Sequence, residues 1–166
     1  MSNVLSRRKP TRLPGFDYRA PGPYLVTVCC QHREHRFGRI FDEAVNPSPA
    51  GQMVADIWTS IPDRFPTVVL DLFVVMPNHI HGLLWFEPGA TPSHPALGDV
   101  IGWFKAVTTN RYIHGVRTAG WPPYDRSLWQ RTFHEHIVRN DADMDRIRTY
   151  IANNPATWHE DRYHEP

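Results

Sequence analysis

The chain has 166 residues, 41% of them hydrophobic and 21% charged, with a formal net charge of only +1. This composition fits a single domain over residues 1–166 that can bury a core, and the charge balance alone indicates no nucleic-acid partner. No run of about 18 apolar residues is present, and the N-terminal stretch lacks an apolar signal region, so we expect neither a membrane span nor a secretory leader.

The first predicted segment is an extended, proline-rich arm over residues 1–22. The part of this arm before residue 17 contains four basic residues and no acidic residue. The basic residues are Arg7, Arg8, Lys9 and Arg12. The β-branched stretch 24–30 predicts the first strand. It ends in the adjacent Cys29 and Cys30, which we interpret as reduced core thiols of a cytoplasmic protein.

Two further strands follow a polar connector and an amphipathic helix. The helix is predicted over 48–62, because apolar side chains recur there every fourth residue; we expect it to begin at Ser48 and to end at Pro62. The apolar runs 67–76 and 79–86 predict a pair of strands joined by a tight proline–asparagine turn.

The last third of the chain predicts two more helices with a strand between them. The first helix covers 96–115, with Gly115 as its C-cap. A short fourth strand is expected over 130–140. The final helix covers 141–155, because its acidic first turn complements the helix dipole and Pro155 follows its end.

The order of the first six elements, β-α-β-β-α-β, is the split pattern of a ferredoxin-like sandwich. We therefore predict an α+β fold with a four-stranded antiparallel sheet and two helices on one face. The helix over 141–155 is an addition that packs against this sheet.

Two histidines in the third strand are the most informative pair of residues. Alternate side chains of a strand share a face, so His79 and His81 project together while Ile80 points to the helix-covered side. Two such imidazoles can share one divalent cation if a third ligand comes from elsewhere. Spacing alone equally allows two half-exposed histidines. A second pair, His134 and His136, leaves open a zinc site built from all four.

The final helix carries a tyrosine and an asparagine on one face. Tyr150 and Asn154 are four residues apart, so both can reach the histidines if this helix lies across the open face of the sheet. A phenol beside a cation and a phosphate is a plausible nucleophile. The alternative is an amphipathic helix in which Tyr150 is a boundary residue.

Four ordered blocks of the sequence resemble the HUH single-tyrosine transposases, and more closely their REP-associated (IS200-like) relatives. They span most of the chain. The blocks are GFDYRAPGPYLVTVCCQHREHRFG, MPNHIHGLLWF, LGDVIGWFKAVTTNRY and LWQRTFHEHIVRNDADMDRIRTYIANNP.

The resemblance implies metal-dependent cleavage and rejoining of single-stranded DNA through a 5′-phosphotyrosine intermediate. His79, His81 and Asn154 would be the ligands of Mg²⁺ or Mn²⁺, and Tyr150 would be the nucleophile. Two departures stand out. His134 occupies a position where the family more often has an aromatic residue. The tail after Pro155 is short, so no substrate-binding role is assigned to it.

The resemblance also implies a DNA hairpin as substrate, recognised by a monomer or a homodimer. Arginine-rich segments suit the phosphate backbone, and tryptophans suit base stacking. The expected DNA-binding residues are Arg7, Arg8, Lys9, Arg12, Arg117, Arg126 and Arg131. The tryptophans considered for stacking are Trp103, Trp121 and Trp129, of which Trp103 is equally suited to the core.

Two other functions fit the same sequence. One is a DNA-hairpin-binding protein that has lost catalysis. The other is a small ferredoxin-like module that binds RNA, or binds zinc through His134 and His136.

Overall fold

A four-stranded sheet with helices on both faces organises the chain. The computed structural model describes residues 13–88 and 95–164. Its strands are β1 (Gly22–Cys29), β2 (Gly38–Phe41), β3 (Ala44–Pro47), β4 (Val68–Met76), β5 (His79–Phe86) and β6 (His134–Ile137). Its α-helices are α1 (Pro49–Thr59), α2 (Ile61–Arg64), α3 (Leu97–Ala119) and α4 (Asp141–Asn153). Among the described residues, none of these helices has the length and apolar character that a bilayer span requires.

The sheet has the strand order β4-β5-β1-β6, and each pair of neighbouring strands is antiparallel. The units β1-α1-β4 and β5-α3-β6 each leave a gap of one strand, which a strand of the other unit fills. This interleaving is the split β-α-β arrangement of a ferredoxin-like sandwich. The predicted α+β fold is therefore confirmed.

The larger core lies between the sheet and helices α1 and α3. It contains Val26, Val28, Val54, Trp58, Ile80, Leu84 and Phe104, all with no exposed surface. The contact between α1 and β5 is so close that a Cβ at Gly82 would lie 2.1 Å from Cζ2 of Trp58. Ile80 belongs to this core, so the adjacent histidines must face the other way.

Helix α4 covers the opposite face of the sheet. Met144, Ile147 and Ile151 of this helix pack with Leu83 of β5 in a second, smaller cluster. An ion pair of 2.5 Å between the guanidinium of Arg148 and the carboxylate of Asp71 also ties the helix to β4. The helix that carries Tyr150 thus lies on the histidine side of the sheet, which meets the condition under which Tyr150 and Asn154 can reach the histidines.

The polar connector after β1 contains a hairpin that the sequence analysis did not predict. Its second half is the β2–β3 hairpin, in which Phe41 pairs with Ala44 across a two-residue turn. The turn residues Asp42 and Glu43 both have positive φ, 50° and 57°, which is the backbone of a type I′ turn. Glycine and asparagine usually signal such turns, and this turn has neither.

Two predicted helix ends are displaced. Ser48 caps α1 as expected, accepting a hydrogen bond of 3.0 Å from the backbone N–H of Gly51. Pro62 does not end that helix; it lies in the first turn of α2, where the missing N–H costs nothing.

Helix α3 continues through Gly115 to its C-cap Gly120, whose φ is 69°. Gly115 is needed inside the helix because a Cβ there would lie 2.3 Å from the indole of Trp121.

The ends of the chain differ from the prediction in smaller ways. Residues 1–12 of the predicted arm, which include Arg7, Arg8, Lys9 and Arg12, lie outside the described residues. Within 13–21 the chain forms turns, and the ring of Phe16 contacts that of Tyr24 at the start of β1. The fourth strand is only four residues long, shorter than the predicted 130–140. Cys29 and Cys30 are buried and form no disulfide in the described chain, as expected.

Candidate active site

The two histidines of β5 form a closely packed, buried pair. His79 and His81 are 0% and 1% exposed, and their Nε2 atoms lie 3.0 Å apart. They share a face of the sheet, as strand alternation predicted, but neither is half-exposed. Helix α4 and the residues that follow it cover this face.

The other nitrogen of each ring is held by a buried side chain. Nδ1 of His79 is 2.7 Å from Oδ1 of Asn78, and Nδ1 of His81 is 2.7 Å from Oγ1 of Thr27. The Nδ2 of Asn78 donates to the backbone carbonyls of Arg33 and Tyr163, so its Oδ1 is free to accept the Nδ1–H of His79. The Thr27 hydroxyl accepts the Nδ1–H of His81 in the same way. Because both rings then carry their proton on Nδ1, the two Nε2 atoms are unprotonated and their lone pairs face one another.

Burial keeps both imidazoles neutral. It lowers the pKa of His79 well below its ordinary value, and the neighbouring His81 adds to this shift. Burial also lowers the pKa of His81, although the Asp161 carboxylate opposes the change. Neutral imidazoles are the form that binds metal ions.

Tyr150 of α4 reaches the histidine pair directly. Its hydroxyl oxygen lies 3.0 Å from Nε2 of His81, and the two ring centroids are 5.0 Å apart. The residue is still 38% exposed. Burial raises the pKa of Tyr150 to about 12, with a further contribution from the charge of Asp161. The phenol is therefore protonated at neutral pH.

Asn154, at the C-terminal end of α4, is 1% exposed and points to the same site. Its Nδ2 donates a hydrogen bond of 2.7 Å to Oδ2 of Asp161. Its Oδ1 is buried and has no hydrogen-bond partner among the described residues. A buried amide oxygen without a donor is costly, which indicates that something absent from the protein chain satisfies it.

Asp161 completes the cluster, and the sequence analysis did not find it. It lies in the segment 155–164, which folds back from α4 over the histidines. Its Oδ2 lies 3.9 Å from Nε2 of His79 and 3.8 Å from Nε2 of His81. Burial alone would raise the pKa of Asp161, but contacts with His81, the backbone N–H of Tyr163 and the Asn154 amide hold it well below its usual range.

The 155–164 segment contributes to the burial of the histidine pair. The ring of Tyr163, 3% exposed, lies 4.9 Å from that of His79 and 5.6 Å from that of His81. Trp158 lies 5.9 Å from His79 on the same side. This segment has no apolar periodicity, so the sequence offered no signal that it would pack here.

The donor set fits a divalent cation. One atom each from His79, His81 and Asp161 lies within 4.8 Å of the others. Cations bind nitrogen and oxygen ligands at about 2.0–2.2 Å, so two ligands of one ion are at most about 4.4 Å apart. The three distances of 3.0, 3.8 and 3.9 Å all meet this limit. The unpartnered Oδ1 of Asn154 is a further oxygen donor close by.

A cavity of about 450 Å³ opens beside the tyrosine. Its wall includes His81, His136, Arg146, Tyr150, Asp161 and Arg162. The imidazole of His136 lies 2.7 Å from the carboxylate of Asp143, which also pairs with Arg146. The cavity thus joins the histidine pair to two exposed arginines that the sequence analysis had not selected.

The second histidine pair does not join the cation cluster. His136 is engaged by Asp143, and the ring of the exposed His134 lies 6.0 Å from that of Tyr163. The cluster of potential metal ligands found in the described residues contains neither.

Among the arginines predicted to bind DNA, Arg126 and Arg131 are exposed and line a separate cavity of about 380 Å³. Arg117 is exposed near the end of α3 and lines neither cavity.

Of the tryptophans considered for base stacking, one is buried and two are partly buried against the larger core. Trp129 is 4% exposed and donates from Nε1 to Oγ1 of Thr108, so the stacking role is wrong for this residue. Trp121 packs on Tyr112, and Trp103 packs edge-on against Phe65.

Comparisons with known proteins agree with the fold and identify the family. Residues 24–154 match the family described as Transposase IS200 like. An uncharacterized protein of Haemophilus influenzae is 31% identical over 178 residues, covering 95% of this chain and 93% of that protein.

Among solved structures, a REP-associated tyrosine transposase bound to a REP hairpin is similar, with a TM-score of 0.54 and 20% identity. The alignment covers 87% of this chain and 82% of that one. A putative transposase from Deinococcus radiodurans aligns with a TM-score of 0.49 and 20% identity, covering 86% and 95%.

Proposed function

Because the chain belongs to the IS200-like transposase family, we propose that it cleaves and rejoins single-stranded DNA with Tyr150 as the nucleophile. Membership gives the protein a transposase-type DNA function. The observation that carries the finer proposal is the position of the Tyr150 hydroxyl, 3.0 Å from Nε2 of His81 and on the wall of an open cavity.

The chemical step is a transesterification. The Tyr150 oxygen attacks the scissile phosphorus, and the bond from phosphorus to the 3′ oxygen breaks. The phenol proton leaves to the water of the cavity, and the departing 3′ oxygen takes up a proton. The products are a 5′-phosphotyrosine linkage and a free 3′-hydroxyl. Because the linkage conserves the bond energy, a 3′-hydroxyl can reverse the step and join strands without ATP.

His79, His81 and Asn154 are proposed to hold a divalent cation, Mg²⁺ or Mn²⁺. When bound, such a cation withdraws charge from the scissile phosphate and favours the ionised form of the nearby phenol. The side chains of the protein position the reacting groups. Asn78 and Thr27 orient the imidazoles, and α4 fixes the position of the phenol relative to them.

The DNA backbone is proposed to enter along the arginines that flank the cavity. Arg146 lies one helical turn before Tyr150, and Arg162 approaches from the 155–164 segment. Their planar, permanently charged groups suit phosphate oxygens. Arg126 and Arg131 offer a second basic region for flanking nucleotides. A hairpin is the proposed form of the substrate, in keeping with the family and with the hairpin-bound relative of similar fold.

A covalent-capture experiment tests this function. The protein is incubated with Mn²⁺ and a single-stranded hairpin oligonucleotide labelled at its 3′ end, because the fragment that stays on the tyrosine carries the 5′ phosphate. We expect a labelled adduct that survives SDS with the wild type and none with Tyr150→Phe, while hairpin binding by the variant is retained.

Tyr163→Phe is the matched control, since Tyr163 is a second phenol packed against both histidines. This variant should still form the adduct. An adduct with Tyr150→Phe would assign the nucleophile to another residue. If the wild type forms no adduct but still binds the hairpin, the protein is a DNA-hairpin-binding protein without catalysis.

A further inference from the structure

Asp161 has the position and the surroundings of a metal ligand. Its side chain is 1% exposed, and Oδ2 faces the gap between the two Nε2 atoms at 3.8 and 3.9 Å. A carboxylate that is shielded in this way requires compensation by charge or by hydrogen bonds.

The remaining contacts of Asp161 fix its orientation. Its Oδ1 accepts the backbone N–H of Tyr163 at 2.7 Å, and its Oδ2 accepts the Nδ2 of Asn154 at 2.7 Å. These two bonds hold the carboxylate plane, with Oδ2 directed towards the imidazoles. The same bond turns Asn154 so that its unpartnered Oδ1 remains in the buried site.

The position of the neighbouring phenol leads to the same conclusion. The Tyr150 hydroxyl lies 3.5 Å from Oδ2 of Asp161. The carboxylate oxygen that faces both imidazoles therefore also lies beside the proposed nucleophile, which is where a cation that acts on the scissile phosphate has to be held.

We infer that Asp161 is a direct ligand of the divalent cation, so that the 155–164 segment supplies a charged member of the ligand set. This inference rests on the proposed function for the presence of a cation. It adds a carboxylate to the two imidazoles and the amide oxygen. Imidazole and carboxylate together suit Mn²⁺ better than Mg²⁺, which prefers oxygen ligands and retains its waters.

Mn²⁺ binding to the full chain, without DNA, tests the assignment. Titration calorimetry should give a dissociation constant for Asp161→Asn at least about tenfold weaker than that of the wild type, since even residues that only support ligands cost about 10–100-fold. Glu160→Gln is the matched control, because it removes one negative charge from the adjacent residue, whose side chain is 71% exposed. It should bind Mn²⁺ within about twofold of the wild type.

A spectroscopic measurement separates ligation from a merely structural role. In protein labelled with ¹³C at its aspartate carboxyl groups, electron–nuclear double resonance should detect a ¹³C coupling to bound Mn²⁺. The coupling should persist in Glu160→Gln and disappear in Asp161→Asn. Unchanged Mn²⁺ affinity in Asp161→Asn, or a coupling that survives this substitution, would overturn the inference.

The two proposals fail in different ways. A wild type that forms the covalent adduct, with an Asp161→Asn variant of unchanged Mn²⁺ affinity, leaves the nuclease proposal intact and removes Asp161 from the ligand set. If the protein binds Mn²⁺ through Asp161 but never forms an adduct, the inference about Asp161 stands and the nuclease proposal fails. A wild type that binds no Mn²⁺ refutes the inference about Asp161.

Discussion

The hydroxyl of Thr27 offers a sharp test of how the histidine pair is prepared. Thr27→Val keeps the β-branched shape in the middle of β1 and removes only the oxygen that meets Nδ1 of His81 at 2.7 Å. Thr27 is 3% exposed and His81 is 1% exposed, so both groups are largely shielded from water. The same hydroxyl also contacts the phenol of Tyr163, and the substitution removes both hydrogen bonds.

The expected magnitude follows from this burial. A buried ring N–H without an acceptor costs about 1–3 kcal/mol, which should lower the free energy of unfolding by that amount. Loss of a side chain that orients a metal-binding histidine typically weakens metal affinity about 10–100-fold. That factor corresponds to about 1.4–2.7 kcal/mol of binding free energy.

Three measurements check the prediction. Urea unfolding gives the stability change, calorimetry with Mn²⁺ gives the affinity, and ¹⁵N chemical shifts of the imidazole report which nitrogen of His81 carries the proton. Thr27→Ser restores the hydroxyl and should restore the affinity and the tautomer. If Thr27→Val keeps wild-type Mn²⁺ affinity and an Nδ1-protonated His81, the hydrogen bond has no part in preparing the site.

Two further predictions concern stability away from the site. Lys105→Met should lower the free energy of unfolding by about 1–3 kcal/mol, because Nζ of Lys105 donates to three successive carbonyls of residues 130–132. Urea unfolding measures this change. A loss under about 0.5 kcal/mol would mean that water satisfies the carbonyls in place of the lysine. Gly115→Ala should destabilise the protein by about 1–3 kcal/mol despite the better helix propensity of alanine, because the new Cβ would lie 2.3 Å from the Trp121 indole. A higher melting temperature for this variant would show that the indole can move aside without cost.

The parts of the fold governed by hydrophobic periodicity were predictable from sequence. Strand alternation placed Ile80 in the larger core and the histidines on the opposite face, and β5 has the predicted bounds, His79–Phe86. The β2–β3 hairpin was missed because a charged Asp42-Glu43 turn lacks the usual glycine or asparagine. Gly115 was misread as a helix end because its packing partner Trp121 lies beyond any local pattern.

The site was predictable only as far as local spacing and family resemblance reach. Tyr150 and Asn154 are four residues apart on one helix, so their common direction follows from helix geometry. Asp161 has no such relation to the histidines. It reaches them because the chain reverses after α4, and a reversal of this kind depends on tertiary contacts such as those of Tyr163 with the histidine rings.

The distribution of burial across the site is matched to the proposed chemistry. The 155–164 segment shields His79 and His81 from water, which keeps the imidazoles neutral and able to bind a cation. Tyr150 remains 38% exposed and borders the open cavity, so a phosphodiester can approach the hydroxyl from the solvent side. A site buried uniformly would exclude the DNA, and one exposed uniformly would leave the ligands hydrated and mobile. In the proposed reaction, one short segment therefore covers the ligands of the cation while it leaves the cavity beside Tyr150 open.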